Sequence, residues 1–514
     1  MIYMTSLEMS GFRHSGLMIV VAMLLVVAGA ATTYAQEAKY TVVFATTITS
    51  GSYAGDIDIA QCGFDHLGQP DRPIDSPRVV AAQTLREFEP AAASDCAGGY
   101  VLVYTVERYD SAGMMDRDIY ARHIDSAGNN LWNQNDRSFV PVAESRLVED
   151  HPSVLYLGDG STLIAYEVHY GPAPWSDVDI VVVRLGIDGA TLVAPFWGVK
   201  SKRRERLAAM VPNGTGGAYI VINTETYRDS TLVNSDIYLQ RIDTSGVIGW
   251  KDSPEPVPIA ASRHFERNAS AVVDGENGIY VAYELEYNGD GRSGDVDILA
   301  QRIGEYGRRR WINDEALPIV SSSPRARESN PRIAAVEDGI VVAFRFESTI
   351  DRKSISAVGL QKLDTAGRPV WNEGKRSKLI ALPNRTVIDV CIASDQLGGV
   401  YLGIEARDST VGGHTDVLVQ RCGFDGEQLW GEGSAPLPVF ASEDNESNSI
   451  IIVNTVGVLT ALAIRDPVAS RPGLYSALVG VRLSPEGTSL WNDEPTTLVT
   501  TPTRKSRPAY IHCR

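Results

Sequence analysis

The sequence predicts an all-β chain folded as a single eight-bladed β-propeller of four-stranded antiparallel blades, and three observations carry the prediction. A strand that begins near an Asp recurs eight times, at Asp56, Asp118, Asp179, Asp236, Asp297, Ala357, Asp416 and Ala477, with gaps of 62, 61, 57, 61, 60, 59 and 61 residues. Each interval holds four strand signals separated by turn residues, which is the content of one blade. The ends supply the third observation. The repeats begin on a second-type strand, YTVVFAT from Tyr40, and finish on a first-type strand, RPAYIHC from Arg507. Neither end completes a blade alone. Sharing one blade between the termini would close the ring and remove exposed strand edges.

The unit from Asn268 shows the elements in order. An inner strand ends at Asp274, and Gly-Glu-Asn-Gly follows as a turn in which glycine supplies positive φ at no steric cost. A second strand, IYVAYELE from Ile279, is apolar with little alternation, as expected of a strand covered on both faces. The loop YNGDGRSGDV leads to the third strand at Asp297, and a Gly turn then delivers Trp311 to an outer strand ending at Val320.

Two columns of the repeat have packing explanations. Gly128, Gly246, Gly307, Gly367, Gly426 and Gly487 each precede a Trp by four residues. A large flat side chain at one corner of every blade would dock on the adjacent sheet, burying ~150–250 Å² each. The first unit has no such Trp, and the third has Val193 with Trp197 four residues later, so irregular packing is expected there. A basic residue lies five positions after seven of the starts, at His123, Arg184, Arg241, Arg302, Lys362, Arg421 and Arg482, with Gln61 in the first copy. Mid-strand placement favours paired structural charges.

Ahead of the repeats, Arg13 and His14 precede an apolar run from Leu17 to Ala31, and Thr33-Tyr34-Ala35 forms a small-residue cleavage site. Residues 1–35 read as a secretory signal peptide and 36–514 as the propeller. The expected localisation is therefore secreted, extracellular or periplasmic, with no transmembrane span. The net charge of −17 argues against nonspecific nucleic-acid binding. Five cysteines, Cys62, Cys96, Cys391, Cys422 and Cys513, show no metal-ligand spacing, so zinc is not expected. Cys62 and Cys422 share a repeat position that suits packing, and Cys96 and Cys513 would lie near the ends of neighbouring inner strands.

The units resemble those of bacterial secreted β-propeller repeat proteins, with DIYLQRIDTSGVIGW from Asp236 and DILAQRIGEYGRRRW from Asp297 as the clearest copies. The Asp, Gly and Trp arrangement is also similar to the tryptophan-docking motif of eight-bladed quinoprotein alcohol dehydrogenases and outer-membrane assembly propellers. In those families the motif is structural, so the resemblance implies blade number and packing and brings no active site. The adjacent Cys pair of the quinoproteins, a haem-attachment CxxCH and the sialidase Asp-box are absent from the sequence.

Chemistry is expected at the end of the propeller where the loops between second and third strands meet the blade-linking loops. The linking loops carry Arg86, Arg146, Arg204, Arg263, Arg325, Arg385 and Arg504. Pointing inward, these would form a ring for carboxylate, sulfate or phosphate groups. Alternatively each pairs with an acid of its own or the next blade. Trp175 is a candidate stacking platform or a lid. Asp56 with Asp58, Asp177 with Asp179, and Asp295 with Asp297 could hold Ca²⁺, or simply bond turn amides. Asp116 with Asp118 repeats the pattern. No catalytic acid, base or nucleophile stands out, and no other cofactor is implied. The primary expectation is an exported, monomeric, non-catalytic binding or scaffold protein for a polymer or protein partner. A carbohydrate-active hydrolase or lyase on the same face is the alternative, and an envelope-complex scaffold a third.

Overall fold

In a computed structural model, the described residues are the strand 24–27 and residues 39–512, apart from 48–55, 84, 110–112, 114, 133–137, 251–253, 289–293, 312–316, 321–325, 351–352, 375–376, 410–412, 432–434, 468–475, 493 and 501–504. The chain is all-β, with antiparallel strands following one another in hydrogen-bonded order. Arg86–Ser94, Tyr100–Tyr109, Met115–Ile124 and Val140–Ala143 form one four-stranded blade. Val148–Tyr156, Thr162–His169, Val178–Leu185 and Thr191–Val199 form the next. The pattern continues through a blade starting at Arg204–Pro212 and onward to the last, which starts at Asn445–Val453. Near the termini, Lys505–His512 pairs antiparallel with Lys39–Thr47, which continues into Ile57–Phe64 and Arg78–Ala81. The short strand Leu24–Val27 lies against Lys505–His512 and Lys39–Thr47.

This is a β-propeller. Neighbouring blades touch where the third strand of one starts beside the first strand of the next, through single parallel pairings at Arg117 with Val148, Val178 with Arg204, Ser235 with Phe265 and Val296 with Arg327. The core is a series of apolar layers between blades. One layer packs Val101, Val103 and Ile119 of one blade against Ile164, Tyr166 and Val181 of the next.

The Gly and Trp columns meet across these layers. Trp132 donates its indole N–H to Ile187 O of the following blade at 2.8 Å, Trp371 to Phe424 O at 2.8 Å, Trp430 to Pro485 O at 2.9 Å, and Trp491 to His66 O at 2.8 Å. Each ring covers a turn glycine of that neighbour. A Cβ on Gly189 would fall 2.8 Å from Trp132, and one on Gly426 2.7 Å from Trp371. The glycine column is thus required twice, for positive φ and for close approach of the indole. The two blades lacking the motif use other side chains. Arg78 occupies the space over Gly128 and donates to Ala127 O at 2.6 Å, while Val193 and Arg184 cover Gly246. Trp197 is left 39% exposed at the rim of its blade.

The mid-strand bases are structural pairs. His123 meets Asp95 at 3.0 Å, Arg302 meets Asp274 at 2.8 Å, Lys362 meets Asp338 at 2.9 Å and Arg421 meets Asp395 at 2.9 Å. Cys62 and Cys422 are buried free thiols, Cys96 is free and exposed, and Cys513 lies outside the described residues. Among the described residues no helix is long and apolar enough to cross a membrane.

Candidate functional site

Each inner strand enters its blade through a short, repeated motif. Its second residue is Glu87, Glu149, Glu205, Glu266, Glu328 or Glu446, with Thr386 in the strand that starts at Arg385. Ser145, Ser201, Ser262 and Ser442, four residues earlier, donate their hydroxyls to the matching Glu. These carboxylates are buried. Burial, reinforced by Asp58 and Asp56, pushes Glu87 up to about 8, and burial outweighing the Ser145 hydrogen bonds pushes Glu149 up to about 7.

Two residues further on, the strand bulges through a left-handed residue: Glu89 (φ 49), His151 (φ 51), Asn268 (φ 52), Asn330 (φ 52) and Asn448 (φ 57). The amide freed by the bulge is gripped by a carboxylate of the preceding blade. Asn330 N–H donates to Glu284 at 2.7 Å, Ser449 N–H to Glu405 at 2.7 Å, Leu207 N–H to Glu167 at 2.9 Å and His151 N–H to Glu89 at 3.0 Å. This clasp satisfies a buried backbone donor at the entry of the inner strands, and it is a property of the repeat.

The bulge position is Glu89, Leu207 or Ile388 in three copies and Asn in three, and one copy carries an imidazole there. Where three other copies place Asn, a favoured residue for αL, this one places His151 after Asp150. The adjacent second strand brings Glu167, opposite Asp150, and His169, opposite Val148. His151 Nδ1 and His169 Nε2 each lie 2.7 Å from Asp150 Oδ1, while Arg117 donates to Asp150 Oδ2 at 3.0 Å. Glu89 and Glu167 approach the His151 ring at 3.7 and 3.8 Å. The outer part of the network runs from Arg86 to Glu107 at 2.6 Å and from Glu107 to Arg117 at 2.9 Å. On the other side Arg206 meets Glu167 at 2.9 Å. Two blades supply the groups around the His151 ring, and a third reaches the network through Arg206 on Glu167.

The electrostatics give that imidazole a definite state. Burial alone would depress His151, but Glu89, Asp150 and Glu167 outweigh it and push it up to about 10. Burial likewise opposes ionisation of Asp150, yet His151 and His169 hold it well below the usual carboxylate range. Asp150 is 2% exposed and Glu167 1%, whereas the His151 side chain is 34% exposed. The result is a partly accessible imidazolium, oriented by a buried carboxylate and backed by a second histidine. Such a group can donate a proton to a bound molecule and recover it. Asp150, His151, Glu167 and His169 each also offer one ligand atom, all within 4.8 Å of one another, a mixed nitrogen and oxygen set that could hold a transition metal. Binding one would first require His151 to release its proton. Tyr109 and Tyr170, at the ends of the two second strands concerned, are 60% and 39% exposed. Tyr170 continues into Trp197, its ring centroid 6.2 Å away, with Lys200 4.1 Å above the indole.

The arginines expected from the linking loops do not act alike. Arg86 pairs with Glu107 and belongs to the network above, and Arg385 meets Asp416. Arg204 lies 3.6 Å from Glu225 and donates to Pro174 O at 3.1 Å. Arg146 and Arg263 are exposed, and Arg325 and Arg504 lie outside the described residues. Trp175 is 51% exposed in the loop that Arg204 holds. Asp56 and Asp58 stand beside Glu87, and Tyr287 donates its hydroxyl to Asp297 at 2.8 Å, two residues after Asp295. Asp177 and Asp179 converge with Glu205. No catalytic group stood out in the sequence because His151 and His169 come together only through strand register. A column-by-column comparison of the copies, where Asn268, Asn330 and Asn448 align with His151, carries the missing signal.

No family model matches the chain, and no curated protein does. Among solved structures, a polysaccharide lyase described as a PL25 ulvan lyase is similar with a TM-score of 0.42 and 12% identity, over 76% of this chain and 90% of that one. Puromycin hydrolase gives a TM-score of 0.44 and 12% identity, over 84% of this chain but 57% of its own length. The β-propeller domain of the trilobed protease from Pyrococcus furiosus gives 0.39 and 11%, over 81% and 95%. These are loose similarities, and the site is read from its own geometry.

Proposed function

We propose that this chain is an exported, eight-bladed propeller, closed by the terminal strand 505–512, that cleaves a polysaccharide by acid–base chemistry at the His151 group. The observation that carries the reading is the one copy of the inner-strand motif with an imidazole at its bulge: a 34% exposed imidazolium held by buried Asp150, with His169, Glu89 and Glu167 around it. A binding module needs no such proton donor, and the other copies of the motif lack one. Exposed Tyr109, Tyr170 and Trp197 at the same loop-bearing end offer flat faces for sugar rings, and Arg86 and Arg206 offer cations for any acidic substituents. In this scheme His151 protonates the leaving oxygen, Asp150 holds its ring, and a neighbouring carboxylate or His169 receives the proton taken from water or from the sugar ring.

The test is His151→Asn. Asparagine occupies the same left-handed position in three other blades, so the fold is retained while the proton donor is lost. The expected result is a loss of ~10²–10⁴-fold in cleavage of whichever polysaccharide the wild type degrades, with the β-sheet signal of the fold retained and a lower melting midpoint, because the variant leaves Asp150 and Glu167 without the imidazolium. Equal cleavage by the variant would remove His151 from the chemistry. Retention of polysaccharide without fragments from either protein would return the chain to a binding role.

A further inference from the structure

We propose that Asp177, Asp179 and Glu205 form a binding site for one hard divalent cation of the Ca²⁺ type at the junction between the blade that ends at Val199 and the blade that begins at Arg204. One carboxylate oxygen from each residue lies within 4.8 Å of the others. Glu205 is 1% exposed and Asp179 0%, so two of the three charges are withdrawn from water. Asp179 Oδ2, Glu205 Oε2 and Asp177 Oδ1 are buried and accept no hydrogen bond from a charged donor, the Tyr170 hydroxyl being the group beside Asp179. The remaining oxygens are used by protein donors: Ser201 N–H donates to Asp179 Oδ1 at 3.2 Å and the Ser201 hydroxyl to Glu205 Oε1. The occupied oxygens fix the carboxylates in place, and the unoccupied ones are what they leave free.

Comparison with other blades explains why this junction differs. In three other copies an acid at the corresponding place is met by a guanidinium. Arg108 meets Asp118, Arg203 meets Asp236 at 3.4 Å, and Arg465 meets Glu446 at 2.8 Å. Among the described residues no Lys, Arg or His forms an ion pair with Asp177, Asp179 or Glu205; Lys200 and Arg203 act on Asp177 and Glu205 only from farther away. Arg204, which follows Arg203, turns instead to Glu225 and Pro174 O. Two buried carboxylates with a third at their edge and no paired cation are costly, and an all-oxygen set of this kind is what Ca²⁺ takes, with water and carbonyl oxygens completing six to eight ligands. Protonation is the competing remedy. Burial, with Asp179 and Asp177 adding to it against the Ser201 hydrogen bond, pushes Glu205 up to about 8. A cation would displace that proton.

The experiment titrates the EDTA-treated, dialysed full chain with Ca²⁺ by calorimetry, and with Tb³⁺ by luminescence sensitised through Tyr170 and Trp197, which lie beside the site. The expected result is one saturable Ca²⁺ equivalent, a melting midpoint raised by several degrees, and Tb³⁺ emission that Ca²⁺ quenches. Asp179→Asn is expected to weaken Ca²⁺ by at least about tenfold, since charge count sets affinity at such sites, and to raise the melting midpoint of the calcium-free chain. Should Asp179→Asn not fold, Asp177→Asn, at the half-exposed edge, gives the same readout. Absence of saturable binding to the wild type, or binding unchanged in both variants, would overturn the site.

Discussion

Glu87→Gln isolates one buried carboxyl whose ionisation the fold opposes. Glu87 is 0% exposed, and burial together with Asp58 and Asp56 raises its pKa from 4.5 to about 8. The folded chain therefore holds a proton that the unfolded chain has released, and stability falls as pH rises through that window. Below about pH 4.5 both states are protonated and Glu87 contributes no slope. Across the window each pH unit removes about 1.4 kcal/mol, which accumulates to ~5 kcal/mol as a ceiling by pH 8. The variant keeps the shape of a neutral carboxyl but cannot ionise. Wild type and Glu87→Gln should therefore unfold at similar urea concentrations at pH 5 and diverge steadily toward pH 8.5, with the variant the more stable by several kcal/mol. Urea midpoints and slopes measured at half-unit pH steps give the difference directly. Parallel curves for the two proteins would refute the reasoning, because a solvated Glu87 would ionise equally in both states.

Trp430→Ala should cost about 3–5 kcal/mol, because the buried ring packs on Gly487 and donates to Pro485 O, whereas Trp197→Ala, at a rim position 39% exposed, should cost far less; chemical denaturation of both variants checks the contrast. Gly426→Ala should destabilise by ~1–3 kcal/mol, since its φ is 73° and the added Cβ would meet Trp371 at 2.7 Å; a thermal midpoint equal to wild type would contradict that packing. Lys362→Met should fold but lose stability, as the fully buried ammonium pairs with Asp338 and lies 3.7 Å over Phe424; restoring part of the loss with Asp338→Asn in a double-mutant cycle checks the pairing. Asp150→Asn should lower the titration midpoint of His151, read by NMR of the imidazole, because it removes one of the carboxylates that raise it.

Much of the fold was legible in the sequence because repetition multiplies weak signals. A single Gly-x-x-x-Trp means little, but six copies in register announced a docking corner, and the structure gives that corner its partners. The irregular first and third units were legible for the same reason, although nothing indicated that Arg78 would replace the indole in one of them. The site was less accessible. The linking-loop arginines drew attention as a visible column, yet Arg86 and Arg385 are partners of acids. The column that matters is the buried Glu and the bulge residue beyond it. Its meaning depends on a one-residue shift in pairing between Ser153 and Asp150, which alternation of side chains alone does not reveal. Asp177 and Asp179 were visible as a pair, but the third carboxylate, Glu205, comes from the next blade.

The most direct test of the central claim incubates the full chain and its His151→Asn variant with a panel of acidic and neutral polysaccharides across pH 5–9, scoring released fragments and retained polymer in the same samples. The account predicts fragments from the wild type on at least one polymer, lost in the variant while its binding persists. Polymer retained without fragments by both proteins, or fragments released equally by both, would contradict it.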